Sequence, residues 1–416
     1  MLKKINFKLR AIKREYFLSV LLIGLKSSGG LIFSWFLVSF VGSDYHVDIM
    51  RDISIVLGLS VIIKFGLDSA LIKLTTQFYQ DKNRTALLRL TVITLIFCAL
   101  NSTFIYYALA FFDDYILFRT TSLNVSIFAS FSVSICLCLM SMLKAIRLVN
   151  MSFFGETGII MLVSLPFIVK FFNFDETILV FAIVWCVISI LSLFVLFIRF
   201  YKVKSNSAKA SYSYLFYTLI ALLPSLFINS LINYIQQWGV IFLATQNLAQ
   251  VHASSFILVI RITYIFNAVL SPLSSYVVPE VIRIYNKSGV RDVNEFILKT
   301  KSIFIYSGTI CLLISFIATA YVFYPEFDDF LFLSSIFIFL VCSSMNLFSG
   351  PLNMYMALLG FERKLVELRL KIAIPSIIIL FFSSGSFFVF SVAMYMLLQR
   401  AFIIYSLRKE AGIVSI

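Results

Sequence analysis

The stretch ILVFAIVWCVISILSLFVLFI, Ile178 to Ile198, carries no charge. Coiled as an α-helix it is about 31 Å long, which matches the hydrocarbon core of a bilayer. Arg199, Lys202 and Lys204 follow it directly, as basic residues do where a helix emerges on the cytoplasmic side.

Working outward from this run, further apolar segments recur along the whole chain. They predict helices near 17–41, 53–76, 86–111, 122–143, 153–172, 178–200, 214–238, 251–276, 294–322, 330–358, 367–384 and 387–407. The predicted fold class is therefore all-α, a polytopic membrane protein of about twelve transmembrane helices. Composition points the same way: the 416 residues are 61% hydrophobic and only 13% charged, about half the charged share of an ordinary soluble domain. The basic start followed by an apolar run has no small-residue cleavage site and reads as an uncleaved first helix.

The net charge of +14 would suit a nucleic-acid binder if it formed a patch. It does not, because the basic residues fall in short gaps between apolar runs, so no nucleic-acid partner is expected. The gaps alternate in sign. One set holds the N-terminal cluster from Lys3 to Arg14, Lys73 to Arg89, Lys144 and Arg147, Arg199 to Lys209, Arg283 to Lys301, Arg363 to Lys371, and Arg400 to Lys409. The other holds only Arg51, Arg119 and Lys170 among acidic residues such as Asp44, Asp48, Asp52, Asp113, Asp114, Asp175 and Asp328. This asymmetry predicts both termini in the cytoplasm and an even number of crossings. The outer loops are too short for a soluble domain.

The polar stretch Tyr201–Ser213 divides the chain nearly in half. It predicts an N-terminal lobe over 1–200, a cytoplasmic linker over 201–213 and a C-terminal lobe over 214–416, with six helices in each lobe, a common transporter plan. The six cysteines all lie in apolar runs, and His46 and His252 stand far apart in sequence. No disulfide framework, metal site or cofactor is expected.

Charges inside apolar runs are the sharpest signal, since each costs about 2.5–3.5 kcal/mol at a helix centre. Lys26 lies about 14 Å into the first predicted helix and Arg261 about 15 Å into the eighth. Lys64 and Asp68 stand four apart on the second helix, close enough to pair and neutralise one another. Lys26 has the alternative of snorkelling to the cytoplasmic edge, and Arg261 that of pairing with Asp68 or Glu156 on other helices. The functional reading is a cationic cavity for an anionic headgroup, with guanidinium and ammonium groups meeting a diphosphate. Asn229, Asn233, Gln236 and Gln237 fall on one face of the seventh helix, and Tyr264, Asn267 and Ser271 continue the polar theme on the eighth. Asn346, Gly350 and Asn353 add to it on the tenth. Such amides and hydroxyls suit sugar hydroxyls, or equally hydrogen bonds between packed helices. Asp68 and Glu156 are candidates for coupling to protons or sodium, and an interfacial position is the plainer account of Glu156. Gly29, Gly30, Pro166, Pro224, Pro272 and Pro375 are candidate bending points.

Gly24–Gly30, then FVGSDY at 40–45, then FGLDSAL at 65–71 before Lys73 resemble the opening of polysaccharide-export flippases. Pro224, Val251–Arg261, PEVIR at 279–283 and LGFERK at 359–364 continue the resemblance into the second half. The family resembled is the O-antigen flippase (Wzx-type) branch of the multidrug/oligosaccharidyl-lipid/polysaccharide exporters. The resemblance implies twelve helices in two lobes, alternating access and a bacterial inner-membrane location. It implies as cargo an undecaprenyl-diphosphate-linked oligosaccharide, moved from the cytoplasmic to the periplasmic leaflet, and as pathway partners a polysaccharide polymerase and a chain-length regulator. Related lipid flippases line their cavity with basic residues of the first, second and eighth helices, where this chain has Lys26, Lys64 and Arg261. Two of the three are Lys, point charges in place of forks.

Two other readings compete. An ion-coupled drug exporter of the same superfamily would favour carboxylates for cationic cargo, whereas intramembrane cations outnumber carboxylates here. A polymerase of the same pathway would be an enzyme with a sizeable periplasmic loop, and none is present in the sequence.

Overall fold

A computed structural model describes residues 2–111, 121–171, 177–203, 212–288, 290–323, 329–358 and 361–411. Much of the predicted 201–213 linker and the acidic positions 113, 114, 175, 176, 326 and 328 lie outside them. Among the described residues every regular element is a helix. Among these residues nine helices are long and apolar enough to span a membrane, and up to eleven spans result if two bent pairs each count as one. The described chain is thus an all-α, multi-pass membrane protein. The predicted segment 367–384 corresponds to a further helix, Glu362–Phe382, whose first turns carry Glu367, Arg369 and Lys371.

The chain forms two compact units, one of residues 1–33 and 45–242, the other of residues 34–44 and 243–416. The first unit comprises most of α1 (Leu2–Phe40), α2 (Ser43–Lys64), α3 (Leu67–Gln80), α4 (Arg84–Phe111), α5 (Leu123–Ala145), α6 (Val149–Ser152), α7 (Thr157–Phe171), α8 (Thr177–Tyr201) and α9 (Tyr212–Tyr234). Helix α5 is its packing centre and lies against α3, α4 and α8. Small residues make this possible: Ala129, Ser130 and Ser134 are fully buried and let backbones approach closely. Ser130 and Ser134 donate to carbonyls four residues back at 2.7 Å, and Ser134 also reaches the Ser60 carbonyl on α2 at 3.1 Å. On α8, Ile183, Val187, Ile190, Phe194 and Phe197 form an exposed stripe at helical spacing. A stripe this apolar belongs against lipid.

The second unit contains α11 (Gln250–Ser288), α12 (Val290–Phe323), α13 (Phe330–Phe348), α14 (Leu352–Leu358), α15 (Glu362–Phe382) and α16 (Gly385–Ala411). Phe256 of α11 meets Phe339 of α13 and Phe388 of α16 edge to face, with centroids 5.1 and 6.1 Å apart, the favoured aromatic geometry. Asp329 caps α13 by accepting from the Phe332 amide at 3.0 Å. Leu313, Ile317 and Tyr321 of α12 are exposed in a lipid-type stripe.

Four predicted helices differ in form. The second is not one rod over 53–76. It starts at Ser43, so Arg51 and Asp52, expected in an outer loop, are buried within the first unit. The Asp52 carboxylate accepts from the Thr121 hydroxyl at 3.1 Å, which hydropathy alone does not register. The rod then breaks at Phe65–Gly66, where α2 and α3 meet at 48°. The predicted fifth helix bends by 54° at Glu156. The seventh passes through a π-helical turn, Ile235–Gly239, into α10 (Val240–Asn247). The tenth stops at Phe348 and resumes at Leu352, past Gly350 with φ of 72°.

The first break rests on glycine chemistry. Phe65 and Gly66 both have positive φ, 46° and 79°, which disfavours any residue with a Cβ. A Cβ on Gly66 would stand 2.6 Å from the Phe227 backbone nitrogen of α9. Phe65 is held there by stacking on Phe227, with centroids 4.2 Å apart. Gly66→Ala is expected to destabilise the purified protein by on the order of 2 kcal/mol, read as a lowered unfolding midpoint in detergent. Gly24→Ala, where a Cβ meets nothing within 4 Å, is expected to leave the midpoint unchanged.

Candidate functional site

The break between α2 and α3 places opposite charges at two helix ends. Lys64 is the last residue of α2 and Asp68 lies in the first turn of α3. Each therefore complements the dipole of its own helix terminus. Their Nζ and Oδ2 lie 2.5 Å apart, and the Lys64 side chain is only 8% exposed. The pair that the four-residue spacing predicts thus forms across a bend and not along one helix. Asp68 also accepts from the Ser69 amide at 2.9 Å. The break frees backbone carbonyls as well, and the Asn101 side chain of α4 donates to that of Ile63 at 2.9 Å.

The second break has a similar plan. Glu156 sits between a short 3₁₀ turn, Phe153–Gly155, and α7. Its carbonyl accepts from the amides of Ile159 and Ile160 and so starts α7. Its carboxylate lies 3.0 Å from Nζ of Lys26 on α1 and 3.4 Å from Nζ of Lys144 at the end of α5. Lys26 is therefore ion-paired and not simply snorkelling, and Lys144, read from the sequence as part of a cytoplasmic turn, joins the same cluster. Gly29 and Gly158 bring α1 and α7 together here, because a Cβ on either would collide with the backbone of the other helix. Gly29 thus serves close packing and not a bend.

The polar face expected on the seventh helix changes with the π turn. Asn229, Asn233 and Gln236 are half-buried and Gln237 is exposed, and the extra residue in the π turn rotates the later side chains off the expected α-helical face. In the second unit Arg261 is 2% exposed and stands over the Tyr264 ring, 5.2 Å from its centroid. Tyr264 is half-buried and Asn267 exposed. Position 272, a predicted bend, falls within α11.

Sequence reasoning assigned Arg369 and Arg400 to cytoplasmic gaps. Both are buried in the second unit, 7% and 8% exposed. Arg400 falls on one face of α16 with Ile403 and Leu407, both buried. That spacing of three and seven was the available signal.

No protein-family model and no curated protein matches this chain. Among solved structures it is similar to an inward-facing multidrug resistance MATE family transporter of the MOP superfamily, at 13% identity and TM-score 0.62, over 94% of this chain and 96% of that one. It is also similar to a MATE protein in complex with Br-NRF, at 14% identity and TM-score 0.57, over 95% and 94%. At these identities the likeness defines the fold: the chain has the architecture of MATE transporters along nearly its whole length.

Removing the Glu156 charge leaves two lysines without their shared partner. In a double-mutant cycle of Lys26→Met and Glu156→Gln, unfolding in detergent is expected to show coupling of roughly 0.5–1 kcal/mol, since Lys26 is partly exposed. Additive effects would show that the pair contributes nothing.

Proposed function

We propose that the protein is a flippase that carries an undecaprenyl-diphosphate-linked oligosaccharide from the cytoplasmic to the periplasmic leaflet of a bacterial inner membrane by alternating access. The observation that carries this reading is the set of cations within candidate membrane-spanning helices, Lys26, Lys64 and Arg261, on a MATE-type fold. Their chemistry selects an anion. Arg261 is buried against an aromatic ring and offers a forked donor suited to a phosphate. Lys26 is 42% exposed and shares one carboxylate with Lys144, so a diphosphate displacing Glu156 would gain two ammonium groups. Lys64 is more enclosed and bound closely to Asp68, which fits it to hold the bend between α2 and α3. Asn229, Asn233, Gln237, Tyr264 and Asn267 remain our candidates for the saccharide.

Glu156 and Asp68 are the candidates for ion coupling in this scheme. Protonating Glu156 would release Lys26 and Lys144, so cargo binding and proton uptake would favour the same state. The charge asymmetry of the gaps supports cytoplasmic termini. A polysaccharide polymerase and a chain-length regulator are the partners this reading adds.

A drug exporter is the second reading. It is favoured by the likeness to a structure described as a multidrug resistance transporter and by the prior pairing of Lys26 and Lys64 with carboxylates.

In a strain lacking the gene, loss of surface polysaccharide with internal accumulation of lipid-linked repeat units is expected. Wild type is expected to restore the polymer, and Arg261→Ala, at equal protein level, to restore on the order of a hundredth of export or less. Intact polymer in the deletion strain, with raised drug sensitivity, would favour the exporter.

A further inference from the structure

The basic gap that ends at Lys301 gives way at once to an apolar run. Ser302–Phe323 of α12 carries no charge and is about 33 Å long as a helix, enough to cross the hydrocarbon core. Lys301 therefore stands at the edge of that core, at the depth of lipid headgroups. Counting by fours from Lys301 gives Ile305, Thr309, Leu313, Ile317 and Tyr321, and all five are exposed. Residues four apart line one ridge of a helix. The lysine thus heads a largely apolar ridge of the kind that faces lipid.

The same lysine lines a cleft within the second unit. Helix α13 stops at Phe348 and the chain turns at Gly350 before α14, leaving a cleft of about 280 Å³, open mouth included, beside α12. Glycines set its apolar walls. A Cβ on Gly308 of α12 would meet the Phe348 ring at 2.8 Å, and one on Gly350 would lie 3.6 Å from the Phe304 ring. Lys301, Thr300, Ser349 and Tyr355 supply the polar lining. Two of the hydroxyl protons are committed within their own helices. Thr300 donates to the Phe296 carbonyl at 3.1 Å, and Ser349 to that of Met345 at 2.5 Å.

Tyr355 differs from both. It lines the cleft with only 3% of the residue exposed, and its hydroxyl has no hydrogen-bond partner among the described residues. A buried hydroxyl without a partner is costly. Lys301 likewise forms no ion pair among the described residues, whereas Lys299 on the same helix is held by Glu295 at 2.6 Å. A cation and a buried donor, both uncommitted, meet in one cleft at headgroup depth.

We propose that this cleft binds the phosphodiester of an anionic membrane phospholipid, with an acyl chain laid along the ridge beyond Lys301. The ammonium group meets the phosphate as a point charge, and Tyr355 donates its hydroxyl proton to a phosphate oxygen. An anionic headgroup such as phosphatidylglycerol is favoured over phosphatidylethanolamine, whose own ammonium competes with Lys301 for the phosphate. A soluble phosphate shares the polar contacts but not the ridge. The site uses only α12, α13 and α14, so it does not depend on the flippase reading.

The test titrates delipidated full-length protein in detergent with phosphatidylglycerol, and bound lipid is counted by native mass spectrometry. Lys301→Gln is expected to weaken the most tightly held lipid about tenfold, and Tyr355→Phe, which keeps the ring, about fivefold. Lys299→Gln removes the same charge from the same helix outside the cleft and is expected to change nothing. Glycerophosphoglycerol, the same headgroup without chains, is expected not to displace the lipid. Wild-type binding by both Lys301→Gln and Tyr355→Phe would overturn the proposal. So would an equal loss in Lys299→Gln, the mark of a general attraction to basic residues. Displacement by glycerophosphoglycerol at equal concentration would make this a site for a soluble phosphate and overturn the lipid assignment. Lys26→Gln and Arg261→Gln are expected to retain the lipid whatever they do to export. A loss there matching that of Lys301→Gln would place the lipid among the cargo cations and not in this cleft.

Discussion

A bilayer offers no water to a broken helix, so every carbonyl and charge at a break must find its partner in protein. The bend at Phe65–Gly66 shows how this chain meets the requirement. Asn101 takes the Ile63 carbonyl at the break, and farther back along α2 Ser134 takes the carbonyl of Ser60 and Tyr234 donates to that of Ser54 at 2.9 Å. Lys64 and Asp68 neutralise one another across the bend. Gly66 supplies the backbone conformation and the room for α9. The positions of α4, α5 and α9 around α2 follow from these contacts.

The same logic recurs at Glu156, where a bend places a carboxylate between two lysines from different helices. Charges gathered at helix interruptions, and not spread along rods, are what transport folds use to hold and release charged cargo. In the proposed function a lysine at a bend exchanges its resident carboxylate for the phosphate of the cargo, and the displaced carboxylate is neutralised by a proton. That is why the paired state of Lys26 is compatible with a role in binding. A lysine committed to one carboxylate can be offered a better anion, whereas an unpaired lysine at that depth would be costly to keep.

Much of the fold was legible because a membrane imposes a simple rule on sequence. The run from Ile178 to Ile198 became α8, and the run from 330 became α13, because apolar length alone decides such elements. The breaks were not legible in the same way. Hydropathy cannot distinguish a straight apolar run from one bent at Phe65–Gly66, and only the conformation required at Gly66 marks the place. Arg51 and Asp52 misled for the opposite reason: a charge outside an apolar run reads as loop, yet these two are buried within a helix by contacts distant in sequence. Arg369 and Arg400 were hidden by proximity to exposed cations of the same helices, such as Lys371 and Lys409, although Arg400, Ile403 and Leu407 share one face. Among the candidate site residues, Lys64 with Asp68 could be anticipated from spacing. The meeting of Lys26, Lys144 and Glu156 joins three segments more than a hundred residues apart at the extremes, and no local pattern encodes it.

The most direct measurement is transbilayer movement by the purified protein alone. Reconstituted into liposomes with a short-chain polyprenyl-diphosphate-linked saccharide, the protein should bring inner-leaflet saccharide within reach of an external lectin much faster than protein-free vesicles do. Movement no faster than in protein-free vesicles, with a cationic dye exported from the same preparation, would contradict the account and leave the MATE-type fold serving a different cargo.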